Sequence, residues 1–218
     1  MSSEQLDALR GASATLLTDA LRRLGHDPRT FAMSGIRPMV KTRGTTIGPA
    51  VTTKYEVSRE RGGSDDIRRY VFKTVDDANP GDVWVTASGT DQVLSMMGDI
   101  IILACKQKGL AGIVIDGGCR DTEEMNEIGL PVYAKGTCLY GPGGVVRPVA
   151  ANVPVVCGGV EVRPGDIVAA SVDGALVIPV EVLPDVVRLV PELEAKEAHA
   201  REIILQGAPL VTSYPLGG

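Results

Sequence analysis

Twenty residues lie between Asp99 and the adjacent pair Arg120-Asp121, and the order of residue types across that gap suggests why the three belong together. The stretch opens on Gly98-Asp99-Ile100-Ile101, a suitable entry to a helix, and reaches Lys108-Gly109, a suitable end. The apolar run Ala111-Gly112-Ile113-Val114-Ile115 then reads as a buried strand, and Asp116-Gly117-Gly118-Cys119 as a glycine turn. Helix, turn, strand and turn return Arg120-Asp121 to the end of the layer at which the helix began. A helix N-terminus offers unpaired N–H groups to an anion. Arg120 adds a forked cation and Asp121 a hard oxygen donor for a divalent ion. The combination describes a receptor for a small oxo-acid.

In that arrangement the backbone N–H groups of Gly98, Asp99, Ile100 and Ile101 would hold the substrate carboxylate. Arg120 would donate to the keto oxygen as it gains enolate charge, the kind of stabilisation that often dominates catalysis. Asp121 as the sole protein ligand suits Mg²⁺ or Mn²⁺, since Mg²⁺ keeps several waters and accepts one or two carboxylates. Asp99 would anchor water on the metal, or Arg120 itself. A plainer alternative stays open: Arg120-Asp121 caps a helix beginning at Thr122 and pairs with neighbouring charges, and Asp99 is an acidic residue favoured by a helix dipole.

Other chemistries fit the sequence less well. Zinc catalysis asks for several histidines, and only His26 and His199 exist, one after a turn glycine and one on a terminal helix. Lys54, Lys106, Lys108 and Lys135 carry no sign of the desolvation that Schiff-base chemistry needs. Gly117-Gly118 lacks the rest of a dinucleotide or P-loop fingerprint, and Ser88-Gly89 has no partnered histidine. Cys105, Cys119, Cys138 and Cys157 show no CxxC spacing, so free thiols in a reducing compartment are the expectation.

The elements that must position these residues come from a core with few aromatics. Hydrophobic residues make up 44% of the chain but aromatics only 4%, so Val, Ile, Leu and Ala must fill it. A net charge of -5 argues against nucleic acid as the main partner. The cluster from Arg59 to Arg69 is interrupted by Asp65-Asp66 and reads as a mixed-charge surface. The first residues lack a signal peptide's basic and apolar regions, and no apolar run spans a bilayer, so a cytoplasmic protein is expected.

Periodicity and turn signals predict helices at residues 4–9, from 13 to about 24, and at 65–75, 92–108, 122–128 and 182–205, the last kinked or split by Pro191. Strands are expected at residues 44–57, 83–85, 112–115, 132–134, 145–149, 153–157, 160–162, 167–170 and 175–178. Pro80-Gly81-Asp82-Val83 and Pro164-Gly165-Asp166-Ile167 are similar tetrads, each a turn before an apolar strand. The alternation of helices and strands, followed by a strand-rich block, predicts an α/β sandwich in one domain over residues 1–218.

With these pieces in order, the chain resembles the RraA-like family, which includes class II 4-hydroxy-4-methyl-2-oxoglutarate and 4-carboxy-4-hydroxy-2-oxoadipate aldolases. The resemblance runs through Thr18-Asp19-Ala20-Leu21-Arg22-Arg23-Leu24-Gly25, Gly98-Asp99-Ile100-Ile101, Asp116-Gly117, Arg120-Asp121, Gly129-Leu130-Pro131-Val132-Tyr133 and Asp173-Gly174. It implies a single-domain α-β-β-α sandwich of the swivelling β/β/α type, assembled as a homotrimer or homohexamer with active sites between subunits. It implies residues 98–101 and Arg120 as substrate contacts, Asp121 as metal ligand, and an acidic residue from a neighbouring subunit, best matched by Glu197. The implied activity is metal-dependent cleavage of such substrates to pyruvate, with oxaloacetate decarboxylation as a side activity. A ribonuclease regulator that binds protein is the alternative, because the family also contains an inhibitor of that kind. Another is a lyase of the same chemistry on a different oxo- or hydroxy-acid. The chain has Ser171-Val172-Asp173-Gly174 where the family often has Asp-x-Asp-Gly, and its own loop at Cys138-Leu139-Tyr140-Gly141-Pro142. Both departures bear on substrate choice.

Overall fold

The computed structural model describes residues 3–60 and 62–214, so Arg61 of the mixed-charge segment lies outside the described residues. Helices α1 (Ser3–Leu9) and α2 (Ala14–Arg23) open the chain, and Ser13 caps α2 by accepting the Leu16 N–H at 3.1 Å. Short strands β1 (Ala32–Met33) and β2 (Arg37–Pro38) precede the long β3 (Thr46–Val57). A helical segment follows in three parts: α3 (Ser64–Ile67), a π-helical turn Arg68–Phe72, and α4 (Lys73–Asp77). Next come β4 (Val83–Ala87), β5 (Ser95–Met97), α5 (Asp99–Lys108), β6 (Gly112–Cys119), α6 (Thr122–Ile128) and β7 (Val132–Thr137). The strand-rich block is β8 (Val146–Ala151), β9 (Val155–Cys157), β10 (Val160–Val162), β11 (Ile167–Ser171) and β12 (Gly174–Ile178). Helices α7 (Leu183–Leu205) and α8 (Leu210–Ser213) close it.

Ten strands form one mixed sheet in the order β1-β12-β11-β3-β4-β6-β7-β2, with β5 added to β6 and β8 to β3. β9 and β10 make a separate pair. β3 joins the two halves: residues 46–49 pair antiparallel with β11, residues 50–54 parallel with β4, and residues 53–57 antiparallel with β8. Strands β3, β4, β6 and β7 run parallel, as crossovers through α5 and α6 require.

The central strands β4 and β6 are buried along their whole length, which is why they carry the apolar runs Val83-Trp84-Val85 and Ile113-Val114-Ile115. On β4 and β6, Trp84, Ile113 and Ile115 pack with Ile102 and Cys105 of α5 and Met125 of α6. Val83, Val85 and Val114 face the other way, in a second cluster with Ile167, Val168 and Val177 of β11 and β12. Leu16, Leu17 and Leu21 of α2 and Val186 and Val190 of α7 complete that cluster. The two halves of the sheet that β3 joins therefore share this cluster, with α5 and α6 packed on one outer side and α2 and α7 on the other, the α-β-β-α order expected. Among the described residues, no helix is long and apolar enough to cross a membrane.

Three expectations need correction. Residues 92–108 are not one helix: β5 occupies Ser95–Met97 and α5 starts only at Asp99. The strand forms because Gly117 and Gly118 lack side chains. A Cβ on Gly117 would stand 2.9 Å from Met96 Cγ, and one on Gly118 2.8 Å from Val93 Cγ1. The Gly118 N–H instead reaches the Leu94 carbonyl at 2.7 Å. The same diglycine is therefore not a turn, and β6 runs on to Cys119. Pro191 does not split the last helix, which continues from Leu183 to Leu205. The helix expected at 65–75 is present, but with a π-helical turn in its middle.

Candidate active site

The site forms at the C-terminal ends of the parallel strands, where open α/β sheets present loops and helix N-termini to ligands. β5 delivers the chain to Gly98, which precedes α5 with no side-chain cap on the helix. Gly98 itself caps none of the first-turn N–H groups of α5, and one of them, that of Asp99, meets the Asp121 carboxylate instead. β6 ends at Cys119 and places Arg120 beside them, its N–H bonded to the Met97 carbonyl at 3.2 Å.

Asp121 is the unusual residue. It adopts a left-handed conformation (φ 63°, ψ 41°), uncommon outside glycine and most tolerable for Asn and Asp. It stands at the N-cap position of α6, yet its side chain makes no cap hydrogen bond there. Its carboxylate turns instead toward the start of α5, with Oδ2 accepting from the Asp99 N–H at 3.4 Å. Oδ2 also lies 3.4 Å from Arg120 Nε. The capping half of the plainer alternative therefore does not describe the Asp121 side chain, whereas its other half, pairing with a neighbouring charge, is met by Arg120. The Arg120 and Asp121 side chains are half and one-third exposed, so both can meet a ligand.

Gly98 permits this close approach. A Cβ there would sit 2.5 Å from Asp121 Oδ2 and 3.5 Å from Arg120 Nε. Asp99 contributes its backbone N–H; Arg120 forms its ion pair with Asp121, not with the Asp99 carboxylate. Ile101 and Gly98 line an adjoining cavity, while Ile100 points outward and is exposed. Residues 98–101, Arg120 and Asp121 are thus brought together in one chain. Glu197 is not: it lies on α7, which packs against α1 and α2, and it pairs with Arg201 at 2.8 Å.

Among the described residues, no cluster of three or more His, Cys, Asp or Glu is arranged to hold a metal. The partly exposed carboxylate of Asp121 could serve as the one protein ligand of a well-hydrated hard cation such as Mg²⁺, whereas zinc wants three or four protein ligands. Cys119 is buried next to the site; burial, with the charge of Asp121 as a lesser cause, pushes its thiol up to about 11, so it is no nucleophile at neutral pH. Lys135 is tied to Asp116 at 2.7 Å, which removes it as a free amine.

The cavity beside Arg120 has a volume of about 390 Å³ and was not anticipated from the sequence. Its walls come from β3, the π-helical turn, β5, α5 and the segment from Gly141 to Pro148. No local motif joins these segments. The one local signal was the π-helical turn, a feature common at functional sites but invisible to helical periodicity.

Residues 14–177 match the family model described as RraA-like, Aldolase/RraA. The chain is similar to a Halalkalibacterium halodurans protein provisionally named a 4-hydroxy-4-methyl-2-oxoglutarate aldolase, with 28% identity over 98% of this chain and 96% of that protein. It is similar to the 4-hydroxy-4-methyl-2-oxoglutarate aldolase of Thermus thermophilus, with 32% identity over 50% of this chain and 66% of that protein. Among solved structures it is similar to Streptomyces coelicolor RraAS2, described as an unusual member of the RNase ES inhibitor RraA protein family. That match has a TM-score of 0.80 and 30% identity, over 92% of this chain and 97% of that one.

Proposed function

The chain belongs to the RraA-like family, and from that premise we propose that it is a pyruvate-forming lyase acting on 4-hydroxy-2-oxo acids, with oxaloacetate decarboxylation at the same site. The observation that carries this reading is the turn of Asp121 away from its own helix and toward Arg120 and the start of α5. The aldolase names of two relatives support it.

The first-turn N–H groups of α5 beyond that of Asp99, which meets Asp121, bind the substrate carboxylate and fix the keto oxygen toward Arg120. Cleavage of the bond between C3 and C4, or loss of CO₂ from oxaloacetate, leaves the same pyruvate enolate. One cationic fork on the enolate oxygen therefore serves both reactions. Asp121 would hold a divalent cation, Mg²⁺ or Mn²⁺, which when bound would supply Lewis-acid stabilisation of that negative charge. Ile100 and Leu103 on α5, and Leu139 and Tyr140 after β7, are exposed, and burial of such residues on a neighbouring subunit favours an oligomer.

Arg120→Ala tests the reading. With oxaloacetate and Mg²⁺, its kcat is expected to fall about 10²–10³-fold, the usual cost of a lost oxyanion donor. EDTA is expected to abolish the wild-type rate. A variant as active as the wild type refutes the role of Arg120. A second reading, a protein-binding regulator of ribonuclease activity, is favoured by the likeness to RraAS2. It predicts inhibition of an RNase E-type enzyme and no metal-dependent release of pyruvate from any oxo-acid.

A further inference from the structure

The cavity beside Arg120 distinguishes among the acids that a pyruvate-forming site could take, and the argument rests on that reading of the site. The cavity opens from Gly98, Ile101 and Arg120 and extends away from Asp121, whose side chain does not line it. A substrate with its oxo-acid head on Arg120 therefore projects its C4 substituent inward. Ile67, Val71, Phe72, Met96, Val146 and Pro148 supply apolar lining. Among the described lining residues, Arg120 is the sole charged side chain. Arg147, on the rim beside Gly62, is paired with Glu60 at 3.7 Å. Burial pushes the phenol of Tyr55, a further lining residue, up, so that group stays neutral. Among the described residues, a second carboxylate at C4 would meet no charged lining side chain beyond Arg120 and would enter this space at a desolvation cost. An alkyl or aryl group would be well accommodated.

We propose that the chain acts on 4-hydroxy-2-oxo monocarboxylic acids whose C4 substituent is alkyl or aryl, that substituent occupying the cavity walled by Phe72 and Met96. The products are pyruvate and an apolar aldehyde. Water removes the proton of the C4 hydroxyl, and its oxygen becomes the aldehyde carbonyl as the bond between C3 and C4 breaks. The electron pair of that bond forms the enolate, and a proton returned from water to C3 gives pyruvate. No oxidant or second substrate is consumed.

The experiment compares kcat/KM for 4-hydroxy-2-oxo-4-phenylbutanoate and 4-hydroxy-2-oxoheptanoate with that for 4-hydroxy-4-methyl-2-oxoglutarate, using the full chain with Mg²⁺. The apolar substrates are expected to be preferred by at least about tenfold. Phe72→Arg, at a half-exposed position that tolerates a long polar side chain, is expected to shift the ratio toward the dicarboxylate by at least about tenfold. Exchange of the pyruvate methyl protons with deuterium, followed by NMR, reads the head of the site independently of any C4 substituent. Exchange by the wild type together with a preference for the dicarboxylate overturns the apolar-substrate proposal and leaves the lyase reading intact. A ratio unmoved in folded Phe72→Arg also overturns it. No exchange and no turnover of any of the three acids overturns both.

Discussion

A methyl group added at Gly98 would stand 2.5 Å from Asp121 Oδ2, closer than real Cβ contacts come, while the backbone at Gly98 (φ -125°, ψ -179°) is ordinary extended chain. Gly98→Ala should therefore fold normally and act only by displacing the carboxylate. A thermal midpoint near that of the wild type is expected, with kcat/KM for oxaloacetate lowered about 10–100-fold, as misplacement by roughly 1 Å commonly does. Full activity in this variant would mean that the position of Asp121 is immaterial. Asp121→Asn makes the complementary change, because Asn tolerates the left-handed conformation as well as Asp does. It should keep the fold, lower activity, and leave a residual rate that no longer responds to EDTA. Unchanged EDTA sensitivity would place the metal elsewhere. The proximity of these residues was legible in the sequence because a helix and a strand of ordinary length separate them. The direction in which Asp121 points was not, since it depends on a single backbone conformation and on the absent side chain at Gly98.

The two Pro-Gly-Asp tetrads form the same local structure, each aspartate accepting the N–H three residues before it: Asp82 from Asn79 at 2.8 Å and Asp166 from Arg163 at 2.9 Å. Their surroundings then diverge. Asp166 uses both oxygens, taking the Val180 N–H at 3.2 Å on Oδ1 and the Arg163 side chain on each. An asparagine has only one acceptor oxygen, so Asp166→Asn leaves a buried donor facing an amide NH₂. A loss of about 1–3 kcal/mol in urea denaturation is expected. Asp82 takes one backbone N–H, which asparagine also satisfies, so Asp82→Asn should cost less than about 1 kcal/mol at neutral pH. Burial, outweighing the hydrogen bonds from Asn79, raises the Asp82 carboxyl above its ordinary 3.8. The folded chain therefore holds that proton more tightly than the unfolded chain. Wild-type stability relative to Asp82→Asn is expected to fall as pH rises from 3.8 to the raised value, then to stay level. Equal losses for both variants, or a wild-type advantage over Asp82→Asn that shrinks as the pH falls below the raised value, would contradict this account. At this scale the sequence was most informative for elements whose signals are local, such as Ser13 capping α2 or Gly109 ending α5. It was misleading at β5, whose three residues are a strand only because a diglycine twenty residues later leaves room beside β6.

The four layers place the expected acidic partner far from the rest of its own site. Arg120 and Asp121 follow β6 on the side of the sheet covered by α5 and α6, whereas α7 packs with α1 and α2 on the opposite outer layer. This distribution was legible from the alternating helices and strands, but the cavity was not, because its walls come from segments spread from Tyr55 to Pro148 that only the folded sheet gathers. At 23 residues α7 is roughly 34 Å long, enough to extend past its own layer and present Glu197 to a neighbouring copy. If Glu197 serves a partner's site, a subunit lacking Arg120 and a subunit lacking Glu197 are each inactive alone but complementary when mixed. Unfolding and refolding Arg120→Ala with Glu197→Ala in equal amounts should then restore about a quarter of the wild-type rate, because in a closed ring each site draws its two residues from adjacent subunits. Activity that stays at the level of the separate variants would assign Glu197 to its ion pair with Arg201 alone, and an oligomer that does not form by sedimentation would remove the premise. Recovery in the mixture, with neither parent active, would make the site a property of the assembly and would explain why the catalytic groups of one chain stop at a single carboxylate.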